Sequence, residues 1–549
     1  MPSDFWSGGY TAASFDDTKR SEEYSHLAGI FRPTTTTSFG VICKSTSDEK
    51  CSGAVGFSYT AVLKVCKSEN ETNCIKSVKA ISRTGTVIDG EFVEYSLPGY
   101  QFYFDGDLDK GIPEGSSASI WRFPSISHDG GDEFALNFAA RNSTGNFGEP
   151  TFLNGTILPM SRKSGKFRLP TYFGKDAGPG NFGGPVGGDG SRGGAPECGL
   201  TLSESQCALL WPHPEGVSYQ VVVRTQSKWS ITRFMQGRIA NPLITLAKDN
   251  LGNQELTITA KPMKVPVIAG WRKNNRMNQE LDDSLEKLFE GGSAGGTIYG
   301  DASPPQRTLI GWIPHYETYN NRLFDLYLLW LKEFEDRSTG TKSVWFVRTL
   351  RIDRSNDTEV DSNSKTGKCI SDSKDFAGLV TSNAGMYVTG PPTFNEETAT
   401  LDYKVSSPHL DENGKENVGS YDLVLKSDVA RCIYGFSNAP IQGSISVVDS
   451  EGKARIATTV VNERDGFLYL SANGFTYSSP TVKVKLTQAA PTPTPSPSAA
   501  ATPSPTPSAT PQVVTAQGKT KRTITCVKGT TKRKITSVAP KCPKGFKRV

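Results

Sequence analysis

Alternation of apolar and polar residues is the main structural signal in this chain. Leu401, Tyr403 and Val405 alternate with Asp402 and Lys404, as expected for a strand with one buried face. Short runs of this kind recur along the chain between turns rich in glycine, asparagine and aspartate. Further strands are predicted at 118–123, 133–139, 219–225, 243–247, 255–260, 421–425, 445–448, 454–460, 467–471 and 481–486. The pattern predicts a mainly β, multidomain architecture of antiparallel β-sandwiches.

Two pairs of neighbouring runs predict hairpins. Residues 58–66 and 74–81 flank a polar turn at 67–73. Residues 243–247 and 255–260 are joined through the turn 250–253. Short polar connections of this kind favour pairing between consecutive antiparallel strands.

Two amphipathic helices interrupt the β pattern. The first is expected at about 278–290, where Leu281, Leu285 and Leu288 share one face before Gly291. The second is expected at about 321–336, where apolar residues also recur at helical spacing. Its polar face is acidic, which favours packing on a sheet over binding to a membrane surface.

Changes in composition suggest the domain organisation. A glycine-rich stretch begins at 174, and a tract made only of Pro, Thr, Ser and Ala runs from Pro491 to Pro511. The tract is predicted to be an extended spacer, because proline holds φ fixed and removes backbone donors. The predicted order is an N-terminal extension (1–36), a β domain (37–173), a Gly-rich connector (174–196), a β domain with the two helices (197–375), an immunoglobulin-like β-sandwich (376–488), a Pro-rich linker (489–513) and a basic two-cysteine module (514–549).

The ten cysteines suit short-range pairing. No Cys-x-x-Cys motif is present, so zinc ribbons and thioredoxin-like redox sites lack their basic unit. An even number of cysteines at short spacings favours disulfides formed in an oxidising compartment. The predicted pairs are Cys43 with Cys51, Cys66 with Cys74, Cys198 with Cys207, Cys369 with Cys432, and Cys526 with Cys542.

The positive charge of the chain is concentrated at its end. Eleven Lys and Arg and no acid lie between Lys519 and Val549, which leaves 50 basic against 56 acidic residues in the first 518. Two basic strands around Gly529 predict a small hairpin held by its two cysteines. Its candidate surface-binding residues are Lys521, Arg522, Lys528, Lys532, Arg533, Lys534, Lys541, Lys544, Lys547 and Arg548. Such a patch suits an anionic polymer, although a merely solubilising tail remains the alternative.

Four segments carry a resemblance to known proteins: MYVTGPPTFNEETATLDYKV, SYDLVLKSDVARCIYGFSNAP, RDGFLYLSANGFTYSS and, after the spacer, ITCVKGTTKRKITSVAPKCPKGFKR. Together they resemble a group of uncharacterised exported actinobacterial proteins. A weaker match is FSYTAVLKVCKSENETNCIKSVKAIS upstream. The resemblance implies an extracellular or envelope-associated protein and carries over no catalytic residue. The first twenty residues do not read as a signal peptide, so we expect one to be encoded upstream.

Two segments match catalytic or metal-binding motifs only in part. The Gly-x-Ser-x-Gly match at 291–295 lies after a predicted helix, whereas a nucleophile elbow needs a strand before it. Asp105, Asp107 and Asp109 have the spacing that begins a calcium loop, but Lys110 intrudes and the twelfth position is not Glu, so an acidic turn is the alternative. No other cofactor is expected.

The aromatic residues are compatible either with glycan binding or with a role in the core. Phe102, Tyr103 and Phe104 lie together, and tryptophans such as Trp121 and Trp345 lie in or beside predicted strands. Exposed rings would stack on sugars, whereas buried rings would only fill a core.

The sequence favours an exported structural or binding protein of the cell envelope. We expect it to be adhesin-like, with glycans among its candidate ligands, and to be retained at an anionic cell-wall polymer or polysaccharide by its basic module. The cysteines argue against nucleic acid as the partner of the basic patch. The alternative is an extracellular hydrolase of polysaccharide or peptide, whose site is assembled from residues far apart in the sequence.

Overall fold

A computed structural model describes most of the chain in separate segments. Contacts divide the chain into two compact units, Met1–Ala490 and Pro491–Val549. The described residues are 10–15, 24–31, 39–99, 103–142, 150, 152–172, 185–186, 198–227, 229, 234–273, 287, 297–299, 309–312, 321–350, 361, 363–373, 375–448, 454–455, 458–477, 481–488, 522–528, 531–537, 542 and 546–548.

The first unit is mainly β, as the alternating pattern predicts. Among the described residues, its helices are α1 (Asn321–Glu333), α2 (Lys365–Asp372) and α3 (Ser427–Tyr434), with a short 3₁₀ turn at Glu49–Cys51. Its strands are β1 (Tyr10–Phe15), β2 (His26–Phe31), β3 (Phe39–Cys43), β4 (Gly56–Val62), β5 (Cys74–Ile81), β6 (Val87–Asp89), β7 (Glu91–Tyr95), β8 (Ser119–Arg122), β9 (Glu133–Asn142), β10 (Phe152–Ser164), β11 (Thr171–Tyr172), β12 (Pro185–Val186), β13 (Cys198–Ser203), β14 (Gln206–Leu210), β15 (Ser218–Thr225), β16 (Phe234–Lys248), β17 (Gln254–Lys273), β18 (Thr297–Tyr299), β19 (Leu309–Trp312), β20 (Gly340–Thr349), β21 (Gly378–Ser382), β22 (Met386–Tyr387), β23 (Thr393–Asn395), β24 (Thr400–Ser406), β25 (Val418–Lys426), β26 (Ile441–Val448), β27 (Ala454–Arg455), β28 (Thr458–Arg464), β29 (Phe467–Thr476) and β30 (Thr481–Gln488).

Two layers of strands enclose an extensive hydrophobic core. One layer pairs β5 with β15, β15 with β17 and β17 with β16. The other pairs β8 with β9, β9 with β10 and β10 with β20. Buried residues of both layers, among them Val221, Phe138 and Trp345, form one hydrophobic cluster. This is the arrangement of a β-sandwich, in which the inward faces of two sheets pack on each other.

Strand pairing crosses the segment boundaries suggested by the sequence. β5 lies in the 37–173 segment and pairs with β15 of the 197–375 segment. β16 of the second segment then runs parallel to β21 of the 376–488 segment, from Phe234 opposite Gly378. The three segments therefore share sheets rather than closing separately.

Residues 376–488 form a second sandwich. β21, β25, β29 and β28 are successive antiparallel neighbours on one side. β24, β30 and β26 form the opposite sheet. Leu401, Tyr403 and Val405 are buried and Lys404 is exposed, so the predicted alternation is confirmed. The turn between β28 and β29 has positive φ at Asp465 and Gly466 (53° and 79°), which is the backbone of a tight two-residue hairpin.

One predicted hairpin is present and the other is not. β16 and β17 pair as expected, with Thr245 opposite Thr257. The predicted antiparallel ladder between 58–66 and 74–81 is wrong, because β4 lies between β2 and β9 whereas β5 pairs with β6 and β15. The two segments meet instead at a parallel bridge between Val65 and Ile75.

Four predicted disulfides are confirmed. They join Cys43 to Cys51, Cys66 to Cys74, Cys198 to Cys207, and Cys369 to Cys432. The last closes a separation of 63 residues and fastens α2 to α3. Short-range bridges of this kind fit a protein folded under oxidising conditions.

The helix predicted at 321–336 is confirmed as α1, whose Tyr327 and Trp330 are fully buried. Within the helix predicted at 278–290, only Lys287 lies among the described residues, and it is helical. α2 and α3 were not predicted. Ser364 caps the start of α2, with its hydroxyl accepting from the Gly367 N–H, and Gly435 caps the end of α3 with φ of 68°. None of the described helices is long and apolar enough to cross a membrane.

The second unit contains the predicted basic hairpin. β31 (Arg522–Lys528) pairs with β32 (Thr531–Ser537), and β33 (Lys547–Arg548) lies on the other side of β31. Cys542 is disulfide-bonded. The side chain of Cys526 lies outside the described residues, so its pairing with Cys542 stays a prediction.

Candidate functional site

A pocket opens where β16 crosses the 376–488 sandwich, and we call it the Asp422 pocket. Its volume is about 160 Å³. The lining residues come from four strands: Asn241, Pro242 and Leu243 from β16, Asp422, Leu423 and Val424 from β25, Asn462 and Arg464 from β28, and Tyr469, Leu470 and Ser471 from β29. Three distant parts of the chain therefore build one concave site.

A β-bulge in β16 forms one wall of the pocket. The register with β17 shifts between Ala240 and Leu243. Asn241 lies in this shift with φ of 51°, a left-handed conformation that asparagine tolerates better than most residues. Pro242 follows and has no N–H to donate to a neighbouring strand. The bulge turns the Asn241 N–H away from β17 and toward Asp422.

Asp422 is the buried polar group at the base of the pocket, and its side chain is 3% exposed. Its Oδ2 accepts from the Asn241 N–H at 3.1 Å, and its Oδ1 accepts from the Ser471 hydroxyl. Burial raises the pKa of this carboxyl above its usual range, although both hydrogen bonds act in the opposite direction. The site therefore favours the neutral carboxylic acid more strongly than water does.

Tyr469 fixes the distance between β16 and the sandwich. Its hydroxyl donates to the Ile244 carbonyl at 3.0 Å. At the rim, Asn462 and Arg464 are exposed, and Arg464 Nε forms an ion pair with Asp465 at 2.9 Å. Leu243 is 42% exposed and adds apolar surface beside these polar groups. The pocket thus combines a rigid buried acid with an amphipathic rim.

Among the described residues that line the pocket, Asp422 supplies the one carboxyl and none is a histidine. Glycoside hydrolysis normally uses two carboxyl groups, and acyl transfer needs a nucleophile tied to a base. Ser471 donates to Asp422 itself, so its hydroxyl hydrogen is already engaged.

The basic module presents its cations on a small sheet. Val527 lies opposite both Lys532 and Lys547, and Thr525 lies opposite Lys534. Because residues alternate between faces along a strand, positions 532, 534 and 547 share one face of the sheet. Lys534 and Lys547 are exposed. Lys521, Lys541 and Lys544 lie outside the described residues.

The three predicted calcium ligands do not come together. Asp107 accepts from the Thr46 hydroxyl at 2.6 Å and is ion-paired with Lys110 at 2.5 Å, so the intruding lysine occupies this carboxylate. Among the described residues, no group of three or more His, Cys, Asp or Glu side chains is placed to hold a metal ion. The geometry at 105–109 is that of an acidic turn.

Most of the aromatic candidates that can be placed belong to the core. Trp121, Trp229 and Trp345 are at most 4% exposed, and Phe104 is also buried. Phe102 and the Gly-x-Ser-x-Gly match at 291–295 lie outside the described residues. His128 contacts the backbone, with Nε2 3.0 Å from the Glu133 carbonyl. These tryptophans therefore provide no exposed platform for a sugar.

Sequence reasoning missed the Asp422 pocket. The alternating pattern places Asp422 inside the predicted strand 421–425 and assigns it no role in a site. A lone acid between tyrosine and leucine in an otherwise apolar run was the available signal, because a strand buried on both faces must find a partner for such a residue. Its partners, Asn241 and Ser471, are distant in sequence and carry no motif.

Neither a protein-family model nor a curated protein matches this chain.

Proposed function

We propose that the protein is an exported, envelope-associated binding protein whose basic C-terminal module retains it at an anionic cell-wall polymer. The resemblance to exported actinobacterial proteins and the four disulfides of the first unit support the location. On this account the body of the protein binds ligands, and the described lining of the Asp422 pocket, with one carboxyl and no histidine, supports binding.

The basic face of the second unit is the observation that carries the proposal. The register brings positions 532, 534 and 547 to one face of a sheet only three strands wide. No acid occurs between Lys519 and the end of the sequence to neutralise them. Cations concentrated on one face of a sheet attract polyanions such as teichoic-type polymers, and salt weakens that attraction.

Binding to purified Gram-positive walls tests the proposal. We expect the full chain to sediment with walls at low salt and to be released by about 0.5 M NaCl, since the Debye length then falls below 5 Å. The triple change Lys532→Gln, Lys534→Gln and Lys547→Gln should reduce the bound fraction severalfold. The matched control is Lys261→Gln, Lys404→Gln and Lys485→Gln, which removes the same charge from exposed positions of the body.

Two results of the wall-binding assay would overturn the proposal, and a competition with DNA adds a third. One is equal wall binding by the two triple variants, which would mean that total charge and not the module decides retention. The other is wall binding that salt does not weaken. Added double-stranded DNA serves as a competitor, and preferential binding to DNA over walls would also count against an envelope polymer as the partner.

A further inference from the structure

We propose that the Asp422 pocket binds one uncharged sugar ring of a surface glycan. Asp422 and Ser471 form the base of the pocket. The exposed residues Asn241, Asn462 and Arg464 form its open rim. This inference rests on the proposed function only for the source of the sugar, because a protein held at the envelope contacts surface glycans. Binding of the free sugar is a property of the pocket alone.

The polar groups of the pocket match hydroxyl groups. A sugar hydroxyl both donates and accepts, and so do a carboxylic acid and the side-chain amides of Asn241 and Asn462. Leu243 and the ring of Tyr469 supply apolar surface for the C–H face of a sugar. A few polar groups placed on a largely apolar wall are typical of sites for small ligands.

The charges in the pocket favour an uncharged ligand. Arg464 is paired with Asp465, which reduces its attraction for an anion. The Asp422 oxygens accept from Asn241 and Ser471, and burial of this side chain disfavours its ionised form. An ammonium ligand would need that ionised form, so a cation is the weaker candidate.

The pocket is built before any ligand arrives. Thr381, Asp422 and Ser471 lie directly opposite one another on three adjacent strands. The hydrogen bonds Asn241 to Asp422 and Tyr469 to Ile244 tie β16 to this sheet from two sides. A preformed site loses little conformational entropy on binding, which permits measurable affinity in a small pocket.

Titration of the full chain with methyl glycosides of glucose, galactose, mannose and N-acetylglucosamine tests the proposal, with saturation-transfer NMR as the readout. At least one probe should bind saturably. Asn462→Ala and Arg464→Ala change exposed rim residues and should each raise the Kd for that probe at least threefold, and Asp422→Asn at least tenfold. Val418→Ala is the control, because Val418 lies in the same strand as Asp422, is 56% exposed and is outside the pocket lining.

The proposal is overturned if none of the four probes binds, or if all the pocket variants bind like the parent chain. The rim variants keep the test decisive even if Asp422→Asn lowers stability, because they remove no buried contact. The module variant with Lys532, Lys534 and Lys547 changed to Gln should keep the parent Kd for the sugar while losing wall binding. Failure of sugar binding and failure of retention are therefore separate results.

Discussion

The backbone N–H of Asn241 donates to Oδ2 of Asp422 across 3.1 Å, although the two residues are 181 positions apart in the chain. This bond joins the bulge of β16 to the central strand of the 376–488 sandwich. It makes Asp422 both the base of a pocket and a fastening between sheets. The protonation of one buried carboxyl should therefore affect the stability of the whole first unit.

Ionisation of the Asp422 carboxyl should lower the free energy of unfolding. Because burial raises the pKa of Asp422 in the folded protein, the folded state holds the proton more tightly than the unfolded chain, whose carboxyl has its usual value of 3.8. The free energy of unfolding should fall as pH rises from about 3.8 through the raised pKa, and this loss persists above it. Asp422→Asn cannot ionise, so its stability relative to the parent should increase over the same window.

Urea denaturation at intervals from pH 3.5 to 7.5 measures this difference. Ser471→Ala is the companion variant, because it removes a hydrogen bond to Asp422 but leaves the carboxyl in place. A stability difference between parent and Asp422→Asn that stays constant with pH would contradict the raised pKa.

His213 should show the opposite dependence on pH. Its side chain is 7% exposed, and burial lowers its pKa to about 3 from an ordinary 6.5. Below pH 6.5 the His213 ring binds a proton in the unfolded chain but stays neutral in the folded protein. This histidine should therefore lower the free energy of unfolding by about 1.4 kcal/mol per pH unit. His213→Phe should remove this share of the acid sensitivity between pH 6.5 and 4.5, as followed by urea denaturation, and leave the share of His26, whose pKa burial lowers to about 4.

His409→Gln provides the control for this experiment, since its ring is 32% exposed and lies near Glu416. It should leave most of the acid sensitivity in place. If His213→Phe is as acid-sensitive as the parent, the histidine is protonated in the folded protein and the assignment is wrong.

The disulfide between α2 and α3 should contribute more to stability than the local ones. It closes a separation of 63 residues, against 8 for Cys66–Cys74. Loop-closure entropy gives about 4 kcal/mol for the longer loop and about 2.5 kcal/mol for the shorter. The double change of Cys369 and Cys432 to Ser should therefore lower the melting temperature more than the same change at Cys66 and Cys74. The reverse order would show that native-state packing, and not chain entropy, sets these contributions.

The features predicted correctly from sequence are those that depend on near neighbours. Leu401, Tyr403 and Val405 identify a strand because burial on one face imposes a period of two. Cys43 and Cys51 are separated by 8 residues, so the chain itself brings them close. The helix at Asn321–Glu333 shows its apolar stripe in the sequence alone.

The features that were missed depend on contacts between distant residues. β4 and β5 are neighbours in the sequence, yet each pairs with strands from elsewhere, and alternation does not specify a partner. The pocket needs Asn241, Asp422 and Ser471 together, and no local pattern links them. α2 and α3 are only eight residues each, too short for helical periodicity to stand out.

Cell fractionation tests the central claim, retention by the basic module, most directly. The full chain and a chain ending at Ala490 would be secreted from the same Gram-positive host behind the same added signal peptide, and the protein in the envelope and in the medium would be quantified. The account predicts that most of the full chain stays with the envelope until salt releases it, while the shortened chain accumulates in the medium. Equal distribution of the two chains would contradict it.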